Sequence, residues 1–185
     1  MVKGVDSAAT RESILLAAQR IVAKHGAGHL TIEKVAREAG LSKGAVLYHF
    51  PAKEELVRGM VAYMVENFNR LLRHLAEAEN HSPGAGTRAY VRACLQGPVE
   101  ADQSAAGLLA AVATNPKLLG TLREHFLEWQ RFIEKDGIRA TRATTVRLAA
   151  DGLWFCELFG FRLPNARLRK QVISELMRLT RKEEH

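Results

Sequence analysis

The chain has 185 residues, 47% of them hydrophobic and 25% charged, a balance typical of soluble globular proteins that excludes a disordered chain and leaves room for one sizeable domain or two small ones. No run of about 18 apolar residues occurs, and the opening "MVKGVDSAATRESI" lacks the apolar centre of a signal peptide, so cytoplasmic residence without a membrane partner is expected. The net charge of +7 favours an anionic partner such as nucleic acid, but residues 1–58 hold +3 of it and the remainder +4, so charge alone does not locate a binding face.

Helical periodicity runs from end to end, and alternating β-branched stretches are absent, which predicts an all-α fold. A first helix is expected from Ser7 or Thr10, with Ile14, Leu15, Ala18, Ile21 and Val22 on one stripe, stopped by Gly26-Ala27-Gly28. Thr31 then caps a short helix carrying Ile32, Val35, Ala36 and Ala39. Gly40 suits its left-handed end, although Lys34 stands where a full capping box would have Glu. Ser42 caps a third helix that Pro51 closes, and Lys53-Glu54-Glu55-Leu56 opens a long fourth one striped with Val57, Val61, Met64, Phe68, Leu71, Leu72 and Leu75. After the loop "NHSPGAG", further helices are expected near 86–96, 101–113, 117–136, 141–160 and 165–181, separated by Gly97-Pro98, Asn115-Pro116, Asp136-Gly137 and Pro164-Asn165.

Two short helices joined by Gly40-Leu41-Ser42 have the dimensions of a helix-turn-helix, whose second helix enters the DNA major groove. With Ala45 set at zero on a helical wheel, Val46, Leu47 and Phe50 fall between about 100° and 200°, while Tyr48 and His49 fall near 300° and 40°. One face is apolar, and the other holds groups suited to DNA. Thr31 and Ser42 sit at helix starts, where hydroxyls and unpaired N–H groups meet phosphates. Gly44 and Ala45 lack bulk, Lys43 reaches a guanine edge or a phosphate, and Tyr48, His49 and Lys53 can donate to the backbone.

"TIEKVAREAGLSKGAVLYHFPAKEELV" resembles the N-terminal signature of the TetR (tetracycline repressor) family of bacterial transcription regulators, and the resemblance covers about residues 10–58. The resemblance implies a homodimer of all-α subunits, with Thr31, Ser42, Lys43, Gly44, Ala45, Tyr48, His49 and Lys53 at the family's DNA-contacting positions and a palindromic operator. Residues 1–53 would form the helix-turn-helix domain and 54–185 a helical ligand-binding and dimerisation domain. A repressor released by a small effector is the expected mode of action.

The C-terminal two thirds resembles the family only loosely. Leu122, Phe126, Trp129 and Ile133 recur at helical spacing, as do Trp154, Glu157, Leu158 and Phe161, and such stripes are ordinarily core. Regulators of this resemblance enclose a mostly apolar pocket, for which Phe68, Cys94, Leu109, Phe126, Trp129, Gln130 and Trp154 are candidates. Glu157 is the one charge that the pattern sets on an apolar face, so an apolar or aromatic ligand is expected. Small residues Ala143, Ala149, Ala150 and Gly152 beside Leu148, Phe155 and Phe159, with Val172, Ile173, Leu176 and Leu179, suit a four-helix dimer interface built from the last two helices.

Cys94 and Cys156 are far apart, and the seven histidines show no paired metal spacing, with a glycine turn between His25 and His29. No metal or cofactor is expected. No nucleophile with its base, paired carboxylates or phosphate loop has recognisable spacing, which argues against an enzyme. A helical protein-protein adaptor fits the C-terminal stripes but leaves the chemistry from Ser42 to Lys53 unused.

Overall fold

The computed structural model describes residues 3–80, 82–95, 105, 108–109, 112, 115–161 and 165–181. Among these, eight α-helices have defined bounds and no strand occurs: α1 Lys3–His25, α2 Ile32–Ala39, α3 Lys43–His49, α4 Lys53–Glu77, α5 Ala85–Leu95, α6 Pro116–Glu134, α7 Ala140–Leu158 and α8 Ala166–Leu179, plus a 3-10 turn at Ala27–His29. The all-α expectation holds. The helix expected at 101–113 falls largely outside the described residues, although residues 105, 108, 109 and 112 are helical. Residues 97, 98 and 164, expected at helix breaks, also lie outside them.

One helix start differs from expectation. α1 begins at Lys3, so Ser7 and Thr10 lie inside the helix instead of capping it. Ala8, Ala9, Arg11 and Glu12 are good helix formers that carry the helix past both residues, while the turn before Ser7 runs through the weaker formers Gly4 and Asp6.

The chain divides into two compact units. The first comprises residues 1–65 and 99–120. Its core is the expected α1 stripe, Ile14, Leu15, Ala18, Ile21 and Val22, together with Leu30, Val35, Ala36, Val46 and Phe50, and with Leu56, Val57, Met60 and Val61 from the first part of α4. Gly59 allows the close approach that this packing requires, because a Cβ there would stand 2.6 Å from Phe50 Cε1 and 3.3 Å from Leu15 Cδ2. Exposed polar pairs tie the surface of the same unit. Arg20 Nε is 2.8 Å from Glu38 Oε1, and the Tyr63 hydroxyl donates to Glu12 Oε1 at 2.9 Å. Asn115 caps α6, its Oδ1 accepting from Lys117 N at 3.1 Å and Leu118 N at 3.5 Å.

The second unit comprises residues 66–98 and 121–185. Here α5 packs against both α7 and α8, and Val91, Val146, Ala150 and Leu176 form the centre of that contact. The start of α5 is held from a distant point in sequence. Asp136 accepts from Gly86 N at 2.8 Å, Thr87 N at 2.7 Å and the Thr87 hydroxyl at 2.6 Å, while its carbonyl accepts from Gly84 N at 2.7 Å. Arg88 adds a clamp, donating to Glu79, Ser82 Oγ and the carbonyls of Pro83 and Thr180. The sequence marks Asp136 only as the stop of the helix before it, yet it also satisfies orphan donors at the start of α5. Asp136→Ala should therefore cost about 2 kcal/mol or more in urea denaturation, since it strips a charged acceptor from three donors in partly buried surroundings. A loss below about 0.5 kcal/mol would contradict this role for the carboxylate.

Candidate nucleic-acid interface and internal aromatic cluster

The turn between α2 and α3 is built by local hydrogen bonds. Thr31 Oγ1 accepts from Lys34 N at 3.2 Å, which caps α2. At the other end Gly40 adopts φ 68°, the left-handed conformation, and Leu41 N donates to Ala36 O at 2.8 Å. Ser42 Oγ then accepts from Ala45 N at 3.1 Å and starts α3.

The seven-residue α3 is divided between inside and outside. Val46 is fully buried and Phe50 is 2% exposed, while Tyr48 is 82% exposed. Ser42, Lys43 and Gly44 are exposed, and Ala45 and His49 are half-buried. Leu47, expected on the buried side with Val46 and Phe50, is only half-buried. The Tyr48 and His49 rings meet edge to face, 5.2 Å between centroids. Lys53 is exposed at the first position of α4. A Cβ added to Gly44 would meet only Ser42 Oγ, at 3.9 Å, so the protein's own packing gives no reason for glycine there.

Lys43 has a partner that the sequence did not disclose. Its Nζ lies 2.5 Å from Oε1 of Glu33, on the first turn of α2, and both side chains are more than half exposed. The Lys43 hydrogen bond, with help from the local backbone and the Lys43 charge, holds the Glu33 carboxyl below its ordinary range. The same unit has an open hollow of about 310 Å³, lined by Ile21, His25, His29, Lys34, Arg37 and Glu38. The His25 and His29 rings stand 6.2 Å apart, and among the described residues no group of three or more metal-ligating side chains forms.

In the second unit, several ligand candidates meet. Phe68 lies 4.7 Å from the Trp129 ring and 5.5 Å from that of Tyr90, and Phe126 lies 5.0 Å from Trp129. Trp129 Nε1 donates to Asn69 Oδ1 at 2.6 Å. Arg147 is 8% exposed, with its guanidinium 5.2 Å from the Phe126 ring centroid and 6.0 Å from that of Tyr90. Its Nη1 donates to Gln130 Oε1 at 2.7 Å, and its Nε lies 3.3 Å from Asp151 Oδ2. The Tyr90 hydroxyl donates to Asp151 Oδ1 at 2.8 Å. Burial raises the Asp151 carboxyl above its ordinary range against the opposing pull of Tyr90 and Arg147, and burial likewise raises the Cys94 thiol and keeps it protonated.

Phe68, Phe126, Trp129 and Gln130 are thus brought together, and Cys94 packs beside the α5, α7 and α8 core. Trp154 is half-buried on α7, and Leu109 belongs to the first unit. Glu157, expected to stand alone on an apolar face, instead pairs with Arg169. Among the described residues Arg147 is a buried charge, and its partner Asp151, half-buried and four residues on, lies on the same side of α7, flanked by the buried Val146 and Ala150.

The expected interface set also divides. Ala143, Ala150 and Leu176 are buried within the second unit, where Val172 and Leu179 pack near Val91 and Val146. Leu148, Phe155 and Phe159 remain exposed at 59%, 47% and 39%. The sequence shows which residues of α7 are small or apolar, but its apolar residues encircle the helix and do not reveal which side α5 covers.

Residues 14–60 match the family model for bacterial regulatory proteins of the tetR family, and residues 84–181 match that for the tetracyclin repressor-like C-terminal domain. The chain belongs to the TetR family. It is 36% identical over 64 residues to the HTH-type transcriptional regulator TtgR of Pseudomonas putida, covering 35% of this chain and 30% of that protein. To the HTH-type transcriptional repressor BepR of Brucella suis biovar 1 it is 34% identical over 56 residues, covering 30% of this chain and 27% of that one. These matches therefore span less than a third of each relative's length. Two solved structures share the fold along nearly the whole chain. A transcriptional regulator from Rhodococcus sp. Rha1 has a TM-score of 0.76 at 20% identity, with 92% of this chain and 95% of that one covered. The multidrug binding protein EbrR, complexed with imidazole, has a TM-score of 0.66 at 20% identity, with 95% and 92% covered.

TetR-family proteins are non-enzymatic DNA-binding transcription regulators, typically responsive to ligands. No helix of this TetR-family chain is long and apolar enough to cross a membrane, among the described residues. Within the second unit, Arg147→Ala should cost about 2 kcal/mol or more in denaturant unfolding, because it leaves the half-buried Asp151 without its cation and with Tyr90 as its remaining donor. Arg147→Ala combined with Asp151→Asn should recover part of that loss. A single variant as stable as wild type would contradict the pairing.

Proposed function

We propose that this chain is a cytoplasmic repressor that binds a palindromic operator as a homodimer. Residues 1–53 would serve as the DNA-binding part and 54–185 as the effector-binding and dimerisation part. The observation that carries this reading is the divided surface of α3, with Val46 and Phe50 anchored in the core while Ser42, Lys43, Gly44 and Tyr48 face solvent. An α-helix presented in this way fits a major groove. Thr31, Ser42, Tyr48, His49 and Lys53 are the proposed phosphate contacts, and Lys43, Gly44 and Ala45 approach the bases. Dimerisation through α7 and α8 is supported by the exposed Leu148, Phe155 and Phe159 together with Leu168 at 47%.

The proposed effector is a small, mostly aromatic molecule that engages Phe68, Phe126, Trp129 and Gln130 within the second unit, with Cys94 and Trp154 as the remaining candidates of that unit. Aromatic side chains there support the choice, as does the similarity in fold to EbrR, a multidrug binding protein solved with imidazole and with malachite green. Arg147 and Asp151 add a polar handle that an apolar reading of the pocket lacks. Release would follow from weaker DNA affinity in the effector-bound state.

Binding of duplex DNA measured across a salt series tests the contacts. Tyr48→Ala and Lys53→Ala should weaken binding to all sequences, and Lys53→Ala should lower the salt slope by about one. Gly44→Ala should leave the fold intact or stabilise it by about 0.5 to 1 kcal/mol, yet weaken specific binding roughly ten-fold or more by holding the helix off the groove. Unchanged binding in all three variants would remove α3 and the start of α4 from the DNA-contacting surface.

A further inference from the structure

The ion pair between Glu33 and Lys43 needs an explanation that stability does not supply. Both partners are more than half exposed, and a pair of that kind adds little to a fold. It joins the first turn of α2 to the first turn of α3, beside Gly44, whose lack of a side chain no internal contact demands. A free lysine here would settle on a phosphate as readily as on a base. A carboxylate 2.5 Å from its ammonium changes that choice, because a phosphate placed against the pair meets a like charge. On a surface meeting a polyanion, a carboxylate is tolerated where it faces a hydrogen-bond donor, and in the major groove the donors are the exocyclic amines of the bases.

We propose that Glu33 and Lys43 act together as a reader of one G·C pair in each operator half-site, Lys43 donating to guanine O6 or N7 and Glu33 accepting from cytosine N4. The inference rests on α3 being the DNA-contacting helix, and it adds Glu33 as a specificity residue. The match is one of pattern. The pair presents a donor beside an acceptor; adenine also sets one acceptor beside one donor, but a G·C pair adds a second acceptor on the guanine, which a three-donor ammonium can use while the carboxylate takes the cytosine amine. Glu33 also keeps Lys43 from drifting to the backbone, so one carboxylate both reads a base and positions its neighbour. It reduces attraction for DNA of any sequence, since its charge opposes that of the phosphates.

The test is selection from a randomised duplex library with full-length wild type, Glu33→Ala and Lys43→Ala, followed by salt-series binding to the selected duplex and to its G·C-to-A·T variants. Wild type should prefer G·C at one position of each half-site by about ten-fold. Both variants should lose that preference at the same position, and Glu33→Ala should bind unselected duplex more tightly than wild type. Thermal unfolding like that of wild type accompanies this result, because Glu33 is exposed. A Glu33→Ala protein that keeps every wild-type base preference overturns the proposal while leaving DNA binding through α3 standing. So does a pair of variants that alter different base pairs. Wild type without salt-sensitive binding to any duplex removes the DNA-binding reading itself, and this inference with it.

Discussion

The burial of Phe50 at the end of α3 is the constraint on which the presentation of that helix depends. A seven-residue helix has too few hydrogen bonds to persist alone, so its position comes from tertiary contacts. Phe50 supplies the largest of them. Its ring lies under the Arg11 guanidinium at 4.9 Å and against the Gly59 backbone, where a side chain would collide with it. Burying a phenylalanine is worth about 1.5 to 3 kcal/mol, and Val46 adds a second anchor one turn earlier. Together they fix the rotation of α3, and that rotation turns Tyr48 and the Ser42-to-Gly44 segment outward.

Much of this was legible in the sequence because the governing signals are local. Caps at Thr31 and Ser42, the left-handed Gly40 and the 3.6-residue spacing of Val46 and Phe50 all involve neighbours within one or two turns. The stripe of α1 was legible for the same reason, although the start of that helix was not, since Ser7 and Thr10 are acceptable within a helix as well as at its cap. The family resemblance at residues 10–58 extended the local reading to a fold, and the family models reach farther, to residue 181.

What the sequence did not disclose is pairing across the chain. Lys43 reads as a free cation until the structure places Glu33 beside it, ten positions away. Arg147 and Asp151 read as ordinary helix charges, but α5 brings Tyr90 to the Asp151 carboxylate and α6 brings Gln130 to the Arg147 guanidinium. Glu157 shows the converse, a charge isolated in the pattern of its own helix and paired with Arg169 on the next. Spacing along one helix identifies a face. It does not identify the partner of that face, which is also why Ala143 and Ala150, expected at a dimer interface, are covered within their own chain.

A surface built from two short helices and a glycine turn is thus proposed to make this TetR-family chain a sequence-specific, effector-released DNA binder. Footprinting of the full-length protein on the DNA upstream of its own gene, with and without aromatic small molecules, tests that claim most directly. The predicted result is a protected palindrome at physiological salt that at least one such molecule exposes. Uniform protection without a preferred site, or no protection at all, would contradict it.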